Sequence, residues 1–312
     1  MYRILTDEDV ERTLEIESVL SVIEQTLRAK AEGALFAPPR FSVEGDGGAL
    51  VFTAGSETKY SRSIGFRVYD TFSDRSVDHQ QLVAVFDSQT GGLRGLVVGK
   101  LIGALRTAAI NALAIKYMAR SDAQTLGILG SGFQAGFHAQ AAIAVHQFQS
   151  AKVYSLTAAH RESFAAEMSA KTGIPFEAVS SAEEVVRFAE VLICATTSTL
   201  PMLEASWVRP GTHVNTIGPK FKGMAEIPYE LAQKSRVIAT DSLQQVDSYP
   251  KPFFLLGTPE RERMVALSEI VLGKQSGRLS SNDVTLFCSV GLAGTEVVLA
   301  AEALRLGGVS QS

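Results

Sequence analysis

The residues best placed to do chemistry lie in Thr125–Gly136, which reads Thr-Leu-Gly-Ile-Leu-Gly-Ser-Gly-Phe-Gln-Ala-Gly. A short apolar run leads into a Gly-x-Gly-x-x-Ala turn and an Ala-rich helical stretch, the pattern of a dinucleotide site. Gly130 permits the tight turn, Gly132 lets the main chain approach a pyrophosphate, and Ala135 keeps the new helix close to the strand. The free N–H groups and positive dipole end of that helix would then face the phosphates. Gly130, Ser131, Gly132, Phe133, Gln134 and Ala135 are therefore candidate cofactor residues. A plain strand–helix turn can share this spelling, but here a strand precedes the glycines and a helix follows.

An NAD site usually carries an acid at the end of its second strand, where it binds the ribose 2′-hydroxyl. Here that segment reads Val153-Tyr154-Ser155-Leu156-Thr157-Ala158-Ala159-His160-Arg161, with no acid. Thr157, His160 and Arg161 could surround a 2′-phosphate, or His160 and Arg161 could simply begin the next helix on a solvated face. The missing acid favours NADP(H) over NAD(H). Thr196, Thr197 and Ser198, past the apolar run Val191–Ala195, suit the nicotinamide–ribose region or an ordinary strand-to-loop cap.

These residues must be held by alternating strands and helices. Strands are expected at Thr125–Leu129, Lys152–Leu156, Val191–Ala195, His213–Ile217 and Arg236–Ala239. Helices are expected at Gln134–His146, Arg161–Lys171, Ala182–Phe188 and Tyr229–Gln233, which together imply a doubly wound parallel sheet. The first part of the chain has a different style. A capped helical pattern from Thr6 carries Leu14, Val19, Leu20, Ile23 and Leu27, and strand-like runs follow at Ala49–Phe52, Ile64–Tyr69, Gln81–Phe86 and Leu93–Val98. Asp87–Gly92 is a hairpin turn, and Leu101–Arg120 a long Ala-rich helix. The tail returns to that first style with an apolar strand Val284–Cys288 and a helix Thr295–Leu306. The expected class is α/β, a Rossmann-type doubly wound parallel sheet inserted in an α+β domain.

The 312 residues, 46% hydrophobic and 20% charged, suffice for about two domains with full cores. A formal charge of -4 without a basic cluster argues against a nucleic-acid partner. The longest apolar runs are too short to span a bilayer, and the acidic start lacks a signal-peptide core, so a cytoplasmic location is expected. Cys194 and Cys288 read as two buried thiols, and no Cys/His spacing suggests a metal.

Five motifs in order resemble the ornithine cyclodeaminase/mu-crystallin family over nearly the whole chain. They are Pro38-Pro39-Arg40, Ala104-Leu105-Arg106-Thr107-Ala108-Ala109, Gly130–Ala135, Val214-Asn215-Thr216-Ile217-Gly218 and Phe287–Ala293. The family includes cyclodeaminases, alanine dehydrogenase, reductases of cyclic imines and a crystallin that binds NADPH. The resemblance implies a homodimer. It also implies a substrate-binding and dimerisation domain at 1–118 plus 284–312 around a dinucleotide domain at 119–283. Arg40 matches an arginine that holds the substrate carboxylate, and Arg106 one between carboxylate and cofactor. Thr107, Ile217, Gly218, Ser289 and Gly291 fall at cofactor-side positions.

Four positions depart from the family pattern. Gly65-Phe66-Arg67 replaces Gly-x-Lys, Gly218-Pro219-Lys220 replaces the acid/base aspartate of cyclodeaminases, Asp78 stands where threonine is frequent, and Glu296 stands where aspartate is usual. Taken together, the first two leave the expected pocket more cationic than the cyclodeaminase pattern, which disfavours a basic amino acid and suits an acid-bearing one. The favoured chemistry is hydride transfer between a nicotinamide and the Cα of a 2-imino or 2-oxo acid. Arg40, Arg67 and Arg106 would bind substrate. Lys220 would handle the proton, with Asp78 and His79 as the alternative pair. A cyclodeaminase-type ammonia-lyase and a non-catalytic NADPH-binding protein are the alternatives.

Overall fold

The computed structural model describes residues 3–74, 76–249 and 251–307; the outermost residues of the expected first domain, 1–2 and 308–312, lie outside them. The chain divides into two units between Thr107 and Ala108 and again between Val290 and Gly291.

The first unit opens with β1 (Arg3–Leu5), α1 (Asp7–Thr13) and α2 (Ile16–Ala31). The apolar period from Thr6 is thus split into two helices at Leu14–Glu15. Thr6 N–H donates to Asp9 Oδ2 at 3.0 Å, so the expected capped start is present. Strands β2 (Leu35–Phe36), β3 (Phe41–Gly45), β4 (Gly48–Glu57), β5 (Ser63–Asp70), β6 (Leu82–Asp87) and β7 (Leu93–Val98) follow, then helix α3 (Leu101–Met118). Their sheet runs β1-β7-β6-β5-β4-β2 with β3 also on β4, antiparallel except for β1 on β7.

Alternation sorts the two faces of this sheet. Val51, Thr53, Arg67, Val83, Val85 and Val97 are buried, and a Cβ added at Gly65 or Gly95 would strike Val297 or Leu304 of the last helix. The opposite face is apolar and open. Phe41, Val43, Leu50 and Ile64 are all more than 40% exposed, and Phe41 and Phe52 stack at 5.2 Å.

In the second unit β8 (Thr125–Leu129), α4 (Phe133–Val145), β9 (Ser150–Tyr154), α5 (Ala158–Thr172), β10 (Phe176–Ala178), α6 (Ala182–Phe188), β11 (Val191–Cys194) and β12 (His213–Thr216) alternate. A hairpin of β13 (Lys220–Phe221) and β14 (Met224–Ala225) precedes α7 (Tyr229–Lys234), β15 (Val237–Thr240), α8 (Leu243–Asp247), α9 (Pro259–Glu262), β16 (Val265–Ala266), α10 (Leu267–Val271) and β17 (Thr285–Cys288). The last helix, α11 (Thr295–Leu306), belongs to the first unit. The sheet order is β10-β9-β8-β11-β12-β17-β15-β16, parallel throughout. Every residue of β11, β12, β15 and β17 is buried, as strands covered on both faces require.

Two expectations move. The boundary expected at 283/284 becomes 290/291, because β17 does not return to the first unit with the tail, and the one expected at 118/119 falls at 107/108, so that α3 begins in the first unit and ends in the second. Strand β17 pairs with β12 and β15 in the middle of the parallel sheet. Helix α5 begins at Ala158, three residues before the expected start at Arg161, so His160 and Arg161 lie within its opening turn, in keeping with the plainer reading of them. Cys194 and Cys288 are buried free thiols, and burial pushes Cys288 up to about 12. No helix among the described residues is long and apolar enough to cross a membrane, and no cluster among them could hold a metal ion.

A polar chain runs through this core. His213 Nδ1 lies 2.8 Å from Thr285 Oγ1 and Nε2 lies 2.8 Å from Asn215 Oδ1. Asn215 Nδ2 donates to the Asn111 carbonyl at 2.9 Å. Burial, reinforced by the Arg278 charge, pushes His213 down to about 3 from an ordinary 6.5. The unfolded chain therefore takes up a proton here near pH 6.5 that the folded chain refuses until about pH 3. Stability should fall with pH across that window, by up to about 1.4 kcal/mol per unit from this group, and level off below it. Urea unfolding across pH 7 to 4 should show a shallower slope for His213→Gln than for the parent, and an identical slope would contradict this origin.

Candidate active site

In the first unit, β5, α3, α11 and the segment before β3 bring three guanidiniums and one carboxylate together. Arg67 is the fifth residue of β5 on its covered face. Its Nη1 meets Glu296 Oε1 at 3.1 Å, and Arg106 Nη2 from α3 meets the same oxygen at 3.1 Å. Glu296 is 1% exposed, in the first turn of α11. Burial alone would raise its pKa, but Arg106 and Arg67 outweigh that and hold it below the ordinary value. Desolvation pulls Arg67 down, against the opposing pull of Glu296.

Arg67 is further engaged. Its Nε donates to Gln81 Oε1 at 3.2 Å, its Nη2 donates to the same oxygen, and its guanidinium lies 4.5 Å from the Tyr69 ring centre. Tyr69 OH in turn accepts from Arg40 Nη1 at 3.2 Å. Gly291, with φ +94, closes the group: a Cβ there would stand 3.0 Å from Arg40 Nη2 and 3.6 Å from Arg106 Nη1. Only a glycine leaves that space to the two arginines and whatever they bind. Arg106 Nε and Nη1 are buried and have no hydrogen-bond partner among the described residues. Buried guanidinium N–H groups left unpaired are costly, which marks them as groups waiting for an acceptor.

Arg40, Arg67, Arg106 and Gly291 are thus brought together. Thr107, one step on, turns its hydroxyl to the Gly103 carbonyl at 2.7 Å. Asp78 stands apart from the arginines, its side chain 72% exposed and 3.8 Å from Lys100. His79 pairs with Asp70 at 2.8 Å. Gln81 and Tyr69 were not singled out from sequence, although Tyr69 is two residues from Arg67 and shares its face.

In the second unit, Gly130, Ser131 and Gly132 line a cleft of about 300 Å³ with Thr157, His160, Thr196, Thr197 and Ser198. Gly130 has φ +106, and a Cβ there would be 2.4 Å from the Ala195 carbonyl. The chain runs from β8 outward to β9 and β10, then returns to the other side of β8 as β11. The cleft therefore sits at a topological switch point, beyond the carboxyl ends of the strands. Gly132 is the N-cap of helix α4, which has no side-chain cap and no acid in its first turn, and a Cβ on Gly132 would meet nothing within 4 Å. Gln134 Oε1 is buried without a partner among the described residues. These features fit a pyrophosphate and its flanking riboses. Ala135 is fully buried, while Phe133 is 61% exposed.

At the end of β9, Ser131 Oγ donates to Ser155 Oγ at 2.8 Å and Arg161 Nη1 donates to the Ser155 carbonyl at 3.0 Å. Ser289, after β17, accepts from Asn111 Nδ2 at 3.0 Å. Ile217 N–H donates to the Cys194 carbonyl at 2.9 Å. Lys220 is 4% exposed, and its Nζ donates to the Gly218 carbonyl. Glu226 also lies here. It is fully buried and was missed in the sequence, where the only sign is an acid between Ala225 and Ile227.

Known proteins are similar to this chain in sequence and fold. The iminosuccinate reductase of Paracoccus denitrificans is 33% identical over 241 residues, 75% of this chain and 74% of that protein. The structure of Thermococcus litoralis Delta(1)-pyrroline-2-carboxylate reductase in complex with NADH and L-proline superposes with a TM-score of 0.89 at 29% identity, covering 97% of this chain and 96% of that one. An archaeal alanine dehydrogenase dimer with bound NAD has a TM-score of 0.89 at 27% identity, covering 97% and 95%. The model of the ornithine cyclodeaminase/mu-crystallin family matches residues 2–304, and the chain belongs to that family.

Proposed function

We propose that this chain is an NAD(P)H-dependent reductase that delivers hydride to the Cα of a 2-imino acid carrying a second acidic group. The observation that carries the reading is Arg106, whose Nε and Nη1 are buried, unpaired among the described residues, and beside Arg40 at Gly291. A carboxylate is the acceptor that matches such a planar, forked donor. Among the relatives, the P. denitrificans protein is named for a dicarboxylic imine.

The dinucleotide, when bound, supplies the hydride. The chain's part is to bind and orient. Ser131, Gly132 and the amino end of α4 would hold the pyrophosphate through main-chain N–H groups, while Gly130, its own N–H given to the Tyr154 carbonyl, makes the turn. Thr157, His160 and Arg161, without an acid at the end of β9, favour a 2′-phosphate and hence NADP(H). Arg40 and Arg106 grip the α-carboxylate, while Glu296 holds the guanidiniums of Arg67 and Arg106 in place. Lys220 carries the proton, its Nζ fixed by the Gly218 carbonyl. A lysine here, where cyclodeaminases carry aspartate, favours reduction over ammonia elimination. The open apolar face of the first unit's sheet would be covered by a second copy, and the archaeal alanine dehydrogenase it resembles is a dimer.

Absorbance at 340 nm tests the reaction. NADPH should be consumed with oxaloacetate plus ammonia or methylamine, faster than with pyruvate or glyoxylate and faster than NADH. Ammonia release from ornithine without an absorbance change would overturn the reading. Arg106→Ala should lower kcat/KM by about a hundredfold, the cost of losing a charged bidentate contact, and Arg106→Lys should not restore it. Unchanged kcat/KM would contradict the assigned grip. On light scattering the parent should give twice the chain mass at micromolar concentration and Ile64→Asp a single chain mass, while a dimeric Ile64→Asp would remove this sheet face from the interface.

A further inference from the structure

Among the buried groups of the second unit, Glu226 has a bonding pattern that packing alone does not require. Its Oε2 accepts from Thr196 N at 2.9 Å and from Thr196 Oγ1 at 2.8 Å. Its Oε1 accepts from Thr216 Oγ1 at 2.6 Å and from Gly218 N at 2.6 Å. A carboxylate offers about four acceptor sites, and four donors converge on this one. The donors come from two different segments, the loop after β11 and the turn after β12. Strands β11 and β12 pair as far as Cys194 and Thr216. Beyond that the chains leave the ladder, and Thr196–Ser198 go on to line the dinucleotide cleft. The β13–β14 hairpin delivers the carboxylate, since Glu226 N donates back to the Pro219 carbonyl at 3.0 Å. Glu226 O also accepts from Met202 N at 2.8 Å, which adds a third segment of the cleft wall.

We infer that Glu226 is a positioning residue that fastens the strand-end loops 196–198 and 216–218 into the floor on which the dinucleotide lies. This rests on the dinucleotide reading of the cleft. The fit is close: a Cβ on Gly218 would stand 2.5 Å from Glu226 Oε2 and 2.2 Å from the Thr196 carbonyl. The clamp needs two acceptor oxygens, not merely a polar group. In Glu226→Gln one oxygen becomes an NH2, which faces the N–H of Thr196 or Gly218 donor to donor and leaves it unsatisfied. In Glu226→Asp the charge remains but the reach is one methylene shorter.

The test uses the full chain. In the dinucleotide-free protein, hydrogen exchange at the Thr196 and Gly218 amides should speed up about tenfold in Glu226→Gln. Fluorescence titration should show NADPH binding about tenfold weaker, while KM for the imino acid at saturating NADPH stays within about twofold. Glu226→Asp should share the defect, and its full rescue would make charge, not the clamp, the active feature and overturn the inference. Thr216→Val, which removes one of the four bonds, should move exchange and affinity the same way by about threefold. It carries the test if Glu226→Gln does not fold. Parental exchange and affinity in a folded variant would overturn the inference. A parent protein that binds neither NADPH nor NADH would overturn the reading of the cleft instead, and the exchange rates would still test the clamp.

Discussion

Two guanidiniums can be kept largely out of water in the first unit because one carboxylate, Glu296, is buried between them. Desolvating Arg67 and Arg106 without it would cost several kcal/mol each. The same pairing has a geometric consequence. Arg67 spends its donors on Glu296 and Gln81, whereas Arg106 gives Glu296 one nitrogen and keeps two others unsatisfied. The two arginines are therefore engaged differently: Arg67 is braced further by the Tyr69 ring, and Arg106 keeps buried donors without a partner among the described residues. Arg40, tied to the hydroxyl of the same Tyr69, stands beside it at Gly291.

The second unit meets a different demand. A fully parallel sheet buries its strands on both faces and sends every loop of one end to the same side, so strand-end residues gather without being near in sequence. At that end main-chain N–H groups remain unpaired by the ladder. At Gly132 they are left open, as an anion site requires, and at Thr196 and Gly218 they are consumed by Glu226. His213, Asn215 and Thr285 satisfy the polar groups deeper in the sheet.

Much of this was legible in the residues. Strand β8 begins and ends where its apolar run does, at Thr125 and Leu129, and Gly130 after it takes a positive φ at the expected tight turn. Arg106 could be singled out because a charge amid alanines and leucines needs a partner. The place of β17 was not legible. Thr285–Cys288 is four buried residues, and periodicity over so short a run cannot say which sheet receives it. Glu226 escaped for a similar reason. Its partners are 8 to 30 residues away, and a lone acid in a chain carries no mark of the four donors that will surround it. Asp78 illustrates the converse, since an ionisable side chain at a family position can still lie out in water beside a lysine.

The central claim is that hydride passes to the Cα of an acid-bearing imine, and isotope tracing tests it most directly. NADPH carrying deuterium at nicotinamide C4, stereospecifically on either face, would be turned over with oxaloacetate and ammonia and the amino acid analysed by mass spectrometry. One of the two labelled cofactors should give a product with a single deuterium at Cα, and the other should give none. A product that is unlabelled with both cofactors, or that carries its deuterium elsewhere, would contradict the account.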